Sequence, residues 1–308
     1  MKKGWIIFLA VLLVLALVIG INHNLAYTLW KNWFPLKLTL DESTEWTGGT
    51  SYERTPYGES PAQYLDLYIP DGVENPPLFV MIHGGGFYLP VQTSALALGC
   101  EYARGLNARV FLPEYRLVPQ FTAPTQLNDC MAVWLELQRH AVDPSRLLVI
   151  GDSAGAALTA GLCIGLRGRA CPQPKGQMLI YPVLDDRGAL YASYEKYADA
   201  CWSPKATKAM WDAYLKGADE SLLPCLVPAR CEDLSGLPPA YIEPQEIDVL
   251  HDEAVAFASA LQKGGVSVEL NEIVGSYHGF DSDLSSPLVR RVIAHRIAAA
   301  QEMIKEMR

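Results

Sequence analysis

Two short glycine-bearing segments hold the residues whose types and spacing could do chemistry. The first is Gly151-Asp152-Ser153-Ala154-Gly155. It follows an apolar run at 147–150 and precedes an Ala-rich stretch of helical character. A serine on a sharp strand-to-helix turn needs small neighbours, because its flanks are crowded and its backbone is strained. In return its Oγ stands exposed at the carboxyl end of a strand, beside a helix N-terminus. Ser153 is therefore a candidate nucleophile, with a plain helix N-cap as the alternative. The second segment is His83-Gly84-Gly85-Gly86-Phe87, after the apolar run 78–82. Three successive glycines are entropically expensive. They make sense where backbone N–H groups must turn inward and approach a developing oxyanion, and His83 and Gly84 belong to that motif. A flexible turn is the alternative.

A nucleophilic serine needs a base, and the base needs an orienting acid. Three histidines follow Ser153: His251, His278 and His295. His295 falls in an amphipathic C-terminal helix beside Arg296 and reads as surface. His251 opens a helix next to Asp252. His278 sits in Gly275-Ser276-Tyr277-His278-Gly279-Phe280, just past the last strand, where a base should hang. The acid should follow the preceding strand. Asp248 is the first choice there, with Glu243, Glu246 and Asp252 as competitors, and Asp252 also suits a helix N-cap.

The elements that must position these residues alternate. Apolar runs at 78–82, 110–112, 147–150, 178–181, 240–242 and 268–273 read as strands buried on both faces. A strand with period-2 alternation is expected at 64–69. Helical periodicity fills 94–106, 125–140, 154–167, 252–263 and 289–305. Strand and helix in alternation predict an α/β fold with a mostly parallel central sheet. The connection between 181 and 240 is long and aromatic, with a helix at 205–215; such a segment usually forms a lid or a binding wall.

The remaining features set bounds. Net charge is −9, and no basic stripe is available for phosphates, which argues against a nucleic-acid partner. Residues 5–21 are almost wholly apolar after two lysines, and Tyr27, Trp30 and Trp33 follow. This predicts a signal anchor or cleaved signal peptide over 1–24, hence a membrane contact through the N-terminus and an exported domain at 25–308. A buried core helix is the third reading. Seven cysteines leave at least one unpaired; Cys225 and Cys231 are close enough in sequence to bridge, whereas Cys163 reads as a buried hydrophobe. No C-x-x-C pair exists and the histidines are scattered, so no metal site is expected.

From about Tyr64 to the C-terminus the chain resembles the hormone-sensitive-lipase-like branch of the α/β-hydrolases, which includes many microbial esterases. The resemblance rests on residues 83–87, Tyr115-Arg116-Leu117, Asp152-Ser153-Ala154-Gly155, Leu237-Pro238-Pro239, Asp248 with Asp252-Glu253, and His278-Gly279-Phe280. It departs where Asp248-Val249-Leu250 and Val118-Pro119-Gln120 replace the usual Asp-Pro-Leu and Ala-Pro-Glu. The resemblance implies a Ser153–His278–Asp248 triad and an oxyanion hole from the N–H groups of Gly85, Gly86 and Ala154. It implies a cap from about 25–60 and 187–235, no cofactor, and a small, short-chain acyl ester as substrate. A peptidase or lipase of the same fold, or a non-catalytic binding protein, are the alternatives. Oligomeric state is not implied.

Overall fold

The computed structural model describes residues 49–305 apart from 75, 140–142, 168 and 170. The leader or anchor expected at 1–24 and the aromatic stretch that follows it lie outside the described residues. Among the described residues no helix is long and apolar enough to cross a membrane.

A strand with no polar alternation is stable only when both its faces are covered. The strands are β1 (Thr50–Pro56), β2 (Tyr64–Pro70), β3 (Leu78–Ile82), β4 (Arg109–Pro113), β5 (Leu147–Asp152), β6 (Gly176–Ile180), β7 (Ala240–Glu243), β8 (Gln245–Ile247), β9 (Val268–Leu270) and β10 (Ile273–Tyr277). Every residue of β3, β6 and β7 is buried, as are the first five of β5. These four lie side by side in parallel at the centre of an eight-stranded sheet of order β1-β2-β4-β3-β5-β6-β7-β9. Only β1 and β2 run antiparallel to their neighbours. This is the mostly parallel α/β sheet that the alternation predicts, in the α/β-hydrolase arrangement that the resemblance implies.

The helices are α1 (Thr93–Leu106), α2 (Thr125–Arg139), α3 (Ala154–Leu166), α4 (Ala192–Lys196), α5 (Pro204–Tyr214), α6 (Leu223–Leu226), α7 (His251–Lys263) and α8 (Pro287–Lys305). The helix after Ser153, α3, is apolar all round and, Gly165 apart, buried at every position. Such a helix must be covered on its outer side as well as against the sheet. The segment carrying α6 does this: a Cβ at Gly161 would run into the Cys225 carbonyl oxygen. Part of the long connection is therefore a cover for α3.

The structure departs from expectation at three places. Residues 50–56, within the stretch expected to belong to a cap, form the outermost strand of the sheet; its side chains are mostly exposed, so it carries no apolar signature. The apolar run 268–273 is two strands. Asn271 N–H donates to the Ile242 carbonyl at 2.9 Å, and the chain then leaves the main sheet, Ile273 N–H donating to Pro244 at 3.0 Å. β10 pairs with β8 in a separate two-stranded parallel sheet. Finally, Cys225 and Cys231 do not bridge; both thiols are free, and Cys231 Sγ donates to the Asp233 carbonyl at 3.1 Å. Cys163 is fully buried in α3.

Candidate active site

Ser153 sits between β5 and α3 with φ +52° and ψ −117°, a backbone state L-residues rarely adopt. Its backbone is pinned on both sides: Ser153 N–H donates to the Ile180 carbonyl at 2.9 Å, and the Ser153 carbonyl accepts from Ala156 and Ala157 N–H at 3.1 and 3.4 Å and from Val183 N–H at 3.2 Å. The small neighbours are obligatory. A Cβ at Gly155 would strike the Ile82 carbonyl oxygen, and one at Gly151 the Gly155 carbonyl oxygen.

Around this turn the structure brings together residues far apart in sequence. Ser153 Oγ lies 2.9 Å from His278 Nε2, and His278 Nδ1 lies 2.8 Å from Asp248 Oδ2. An ionised carboxylate only accepts, so the imidazole proton belongs on Nδ1 and Nε2 is left to accept from the serine. Asp248 is 1% exposed, and its second oxygen accepts the Leu250 N–H at 3.1 Å, which fixes its plane. The competitors are held elsewhere. His251 faces Asp252 at 2.8 Å, and exposed His295 faces Glu269 at 3.0 Å. Glu243 is locked to Arg296, Glu246 accepts the Gly275 N–H, and Asp252 accepts the Ser193 N–H.

The glycine loop after β3 faces the same turn. Gly85 and Gly86 have φ of +91° and +61°, so both need glycine's freedom. Gly84 N–H donates to Asp152 Oδ1 at 3.1 Å, tying the loop to the residue before Ser153. Desolvation, with the Asp281 charge nearby, pushes Asp152 up to about 6. His83 is buried, stacked on Tyr115 at 4.3 Å and 3.4 Å from Glu114 through Nε2. Tyr115 Oη donates to the His83 carbonyl at 2.8 Å. His83 and Gly84 thus act as scaffold for the loop. Among the described residues, no acceptor takes the backbone N–H groups of Gly85, Gly86 or Ala154.

The 187–235 segment packs over this loop. Phe87 stacks on Tyr214 at 3.9 Å, and a Cβ at Gly86 would lie 3.4 Å from the Trp202 ring and 3.7 Å from Met210. Trp202 also stacks on His278 at 5.5 Å. Among the described residues no cluster of three or more His, Cys, Asp and Glu side chains could hold a metal.

A family model described as the α/β-hydrolase fold matches residues 79–282, from the strand before the glycine loop to just beyond His278. The chain belongs to the α/β-hydrolase family. Within it the chain falls in the hormone-sensitive-lipase-like branch that the motifs resemble. It is similar to carboxylic ester hydrolase LipN of Mycobacterium tuberculosis, 34% identical over 73% of this chain and 62% of that protein. It is similar also to carboxylesterase NlhH of the same organism, at 33% over 67% of each. The match thus spans about two thirds of these relatives' own length. Among solved structures it is similar to a bacterial heroin esterase, with a TM-score of 0.78, 32% identity and coverage of 84% and 86%.

The sequence names Glu243 as a candidate acid and Glu253 as part of the resembling motif, but gives no sign that both are fully buried. Glu253 accepts from Leu184 N–H at 2.7 Å, Asp185 N–H at 3.3 Å and Tyr194 Oη at 2.8 Å, and among the described residues it pairs with no cation. Burial pushes its carboxyl up to about 8, against the lowering pull of those hydrogen bonds. The folded state thus holds a proton that the unfolded chain, titrating near 4.5, releases. Its contribution is fully present at the acid end and is lost as pH rises through about 8. The urea midpoint of the wild type is expected to fall across this window, with Asp152 adding to the lower part. Glu253→Gln can accept the two N–H groups through Oε1 and donate from Nε2 to Tyr194 Oη, carries no titrating proton, and should flatten the profile. An equally steep fall in the variant would assign the titration to another group.

Proposed function

We propose that this chain is a serine carboxylic-ester hydrolase acting on small, short-chain acyl esters. The observation that carries the reading is the continuous Ser153–His278–Asp248 chain at 2.9 and 2.8 Å, ending at a strained serine on a helix N-terminus. Ser153 Oγ attacks the ester carbonyl carbon as His278 Nε2 takes its proton. Asp248 keeps the imidazole in the Nδ1–H tautomer and stabilises the imidazolium. The N–H groups of Gly85, Gly86 and Ala154 receive the negative charge that develops on the carbonyl oxygen. His278 returns the proton to the departing alkoxide, leaving the acyl group on Ser153. A water, deprotonated by the same imidazole, attacks that ester and the serine leaves as the alcohol.

The short-chain preference draws support from the cap. Trp202 and Met210 wall the glycine loop at Gly86, where a Cβ would stand 3.4 and 3.7 Å from them, and such a wall favours a small acyl group. Relatives named carboxylesterase and ethyl acetate hydrolase (the latter from Pseudomonas putida, 32% identical over 65% of this chain) accord with that class. The test is a p-nitrophenyl ester series from acetyl to dodecanoyl. We expect kcat/KM to be greatest for acetyl or butyryl and to fall at least about tenfold by octanoyl, as each unplaced methylene forfeits part of its burial. A maximum at decanoyl or beyond would turn the reading toward a lipase.

A further inference from the structure

A buried cluster of charged side chains lies beside the site. Arg296, from the middle of α8, is 1% exposed. Its Nε and Nη2 grip both oxygens of Glu243 at 2.9 and 2.6 Å, and its Nη1 donates to Asp281 Oδ2 at 2.7 Å. Glu243 ends β7 and Asp281 lies three residues past His278. Asp281 Oδ1 in turn accepts from Tyr181 Oη at 2.7 Å. The Tyr181 ring meets the His278 ring edge-on at 5.0 Å. Tyr181 occupies a strained backbone state, φ +34°, and its N–H donates to the Glu243 carbonyl at 2.8 Å. A non-glycine residue persists there only when its surroundings over-determine it. Here they do: both ends of Tyr181 are tied, one through its backbone to Glu243 and one through its hydroxyl to Asp281, and Arg296 holds both carboxylates.

We propose that Tyr181 is a positioning residue for His278, and that the Arg296–Asp281 pair holds Tyr181 in that role. The Asp248 hydrogen bond fixes one point of the imidazole and leaves rotation about that bond. Trp202 covers one ring face. The Tyr181 ring supplies the further contact that keeps Nε2 aimed at Ser153 Oγ. Tyr181 touches no reacting atom, and nothing in the acyl-transfer scheme requires a tyrosine. The proposal rests on His278 being the base.

The test compares the full chain with Tyr181→Phe, which keeps the ring and deletes the tether to Asp281, and Tyr181→Leu, which removes the ring. Two readouts are taken: kcat and KM on p-nitrophenyl acetate, and the proton NMR signal of the His278 Nδ1–H held by Asp248. We expect kcat to fall about tenfold in Tyr181→Phe and about 100-fold in Tyr181→Leu, with KM within about twofold of wild type, since misaligning a reacting pair slows chemistry without weakening binding. The Nδ1–H signal should broaden in the same order. Folded variants with wild-type kcat and an unaltered signal overturn the proposal, as does a rise in KM at constant kcat. If Tyr181→Leu does not fold, Tyr181→Phe decides. Should the wild type itself fail to cleave esters, the functional reading falls, while the NMR signal still decides whether Tyr181 positions His278.

Discussion

Ser153→Ala is expected to lower kcat for a short p-nitrophenyl ester by at least about 10⁴-fold while the protein stays folded. The substitution deletes one oxygen from a residue 5% exposed and leaves the backbone hydrogen bonds of the turn intact. Its stability should stay within about 1 kcal/mol of wild type, in the range of a single net hydrogen bond. KM should change little, because the groups that surround the ester remain. What is lost is the covalent route, and the residual rate would report the Gly85, Gly86 and Ala154 donors acting on water attack alone. Retention of more than about a tenth of wild-type kcat would remove Ser153 from the nucleophile role, since no covalent mechanism survives loss of its nucleophile so lightly.

Asp248→Asn tests the other end of the chain. Asparagine fills the same volume in a site 1% exposed, so packing is conserved. Its amide can present N–H to His278 Nδ1, and the ring then takes the opposite tautomer with its proton on Nε2. That proton points at Ser153 Oγ 2.9 Å away, where a base is needed. A loss of about 10⁴ in kcat is expected at neutral pH, the scale seen where a triad acid is replaced by its amide. Glu243 cannot take over, because Arg296 holds both its oxygens. Kinetics of the variant on p-nitrophenyl acetate decide the matter: a loss below tenfold would mean that another group orients His278.

The contrast between these residues and Arg296 marks how far the sequence could be read. The strands at the centre of the sheet were legible because burial on both faces leaves uninterrupted apolar runs, as in 78–82 and 147–150. The strand-to-helix turn at Ser153 and the glycine loop were legible because close backbone approach admits only small residues. The outer strand Thr50–Pro56 left no trace, since its exposed side chains bear no burial pattern. The split of 268–273 turns on which strand accepts the Asn271 and Ile273 N–H groups, and hydrophobicity does not encode a change of partner. Arg296 reads as surface by residue type. Its register says otherwise: Val289, Val292, Ile293, Ala299 and Ala300 are the buried face of α8, and position 296 lies among them. An arginine inside an apolar stripe must find buried carboxylates, and Glu243, at the end of a wholly buried strand, is one of the few candidates. Tyr181 carried no signal, because its role depends on a backbone angle.

The central claim is that Ser153 carries the acyl group. The most direct test is to expose the full chain to an alkyl fluorophosphonate and map the adduct by mass spectrometry, with turnover of p-nitrophenyl acetate followed in parallel. The account predicts one adduct per chain, on the peptide containing Ser153, formed with loss of fluoride and in step with loss of activity. Ser153→Ala should take up none. An active protein that loses its activity without a mark on Ser153, or with the mark on another residue, would contradict it.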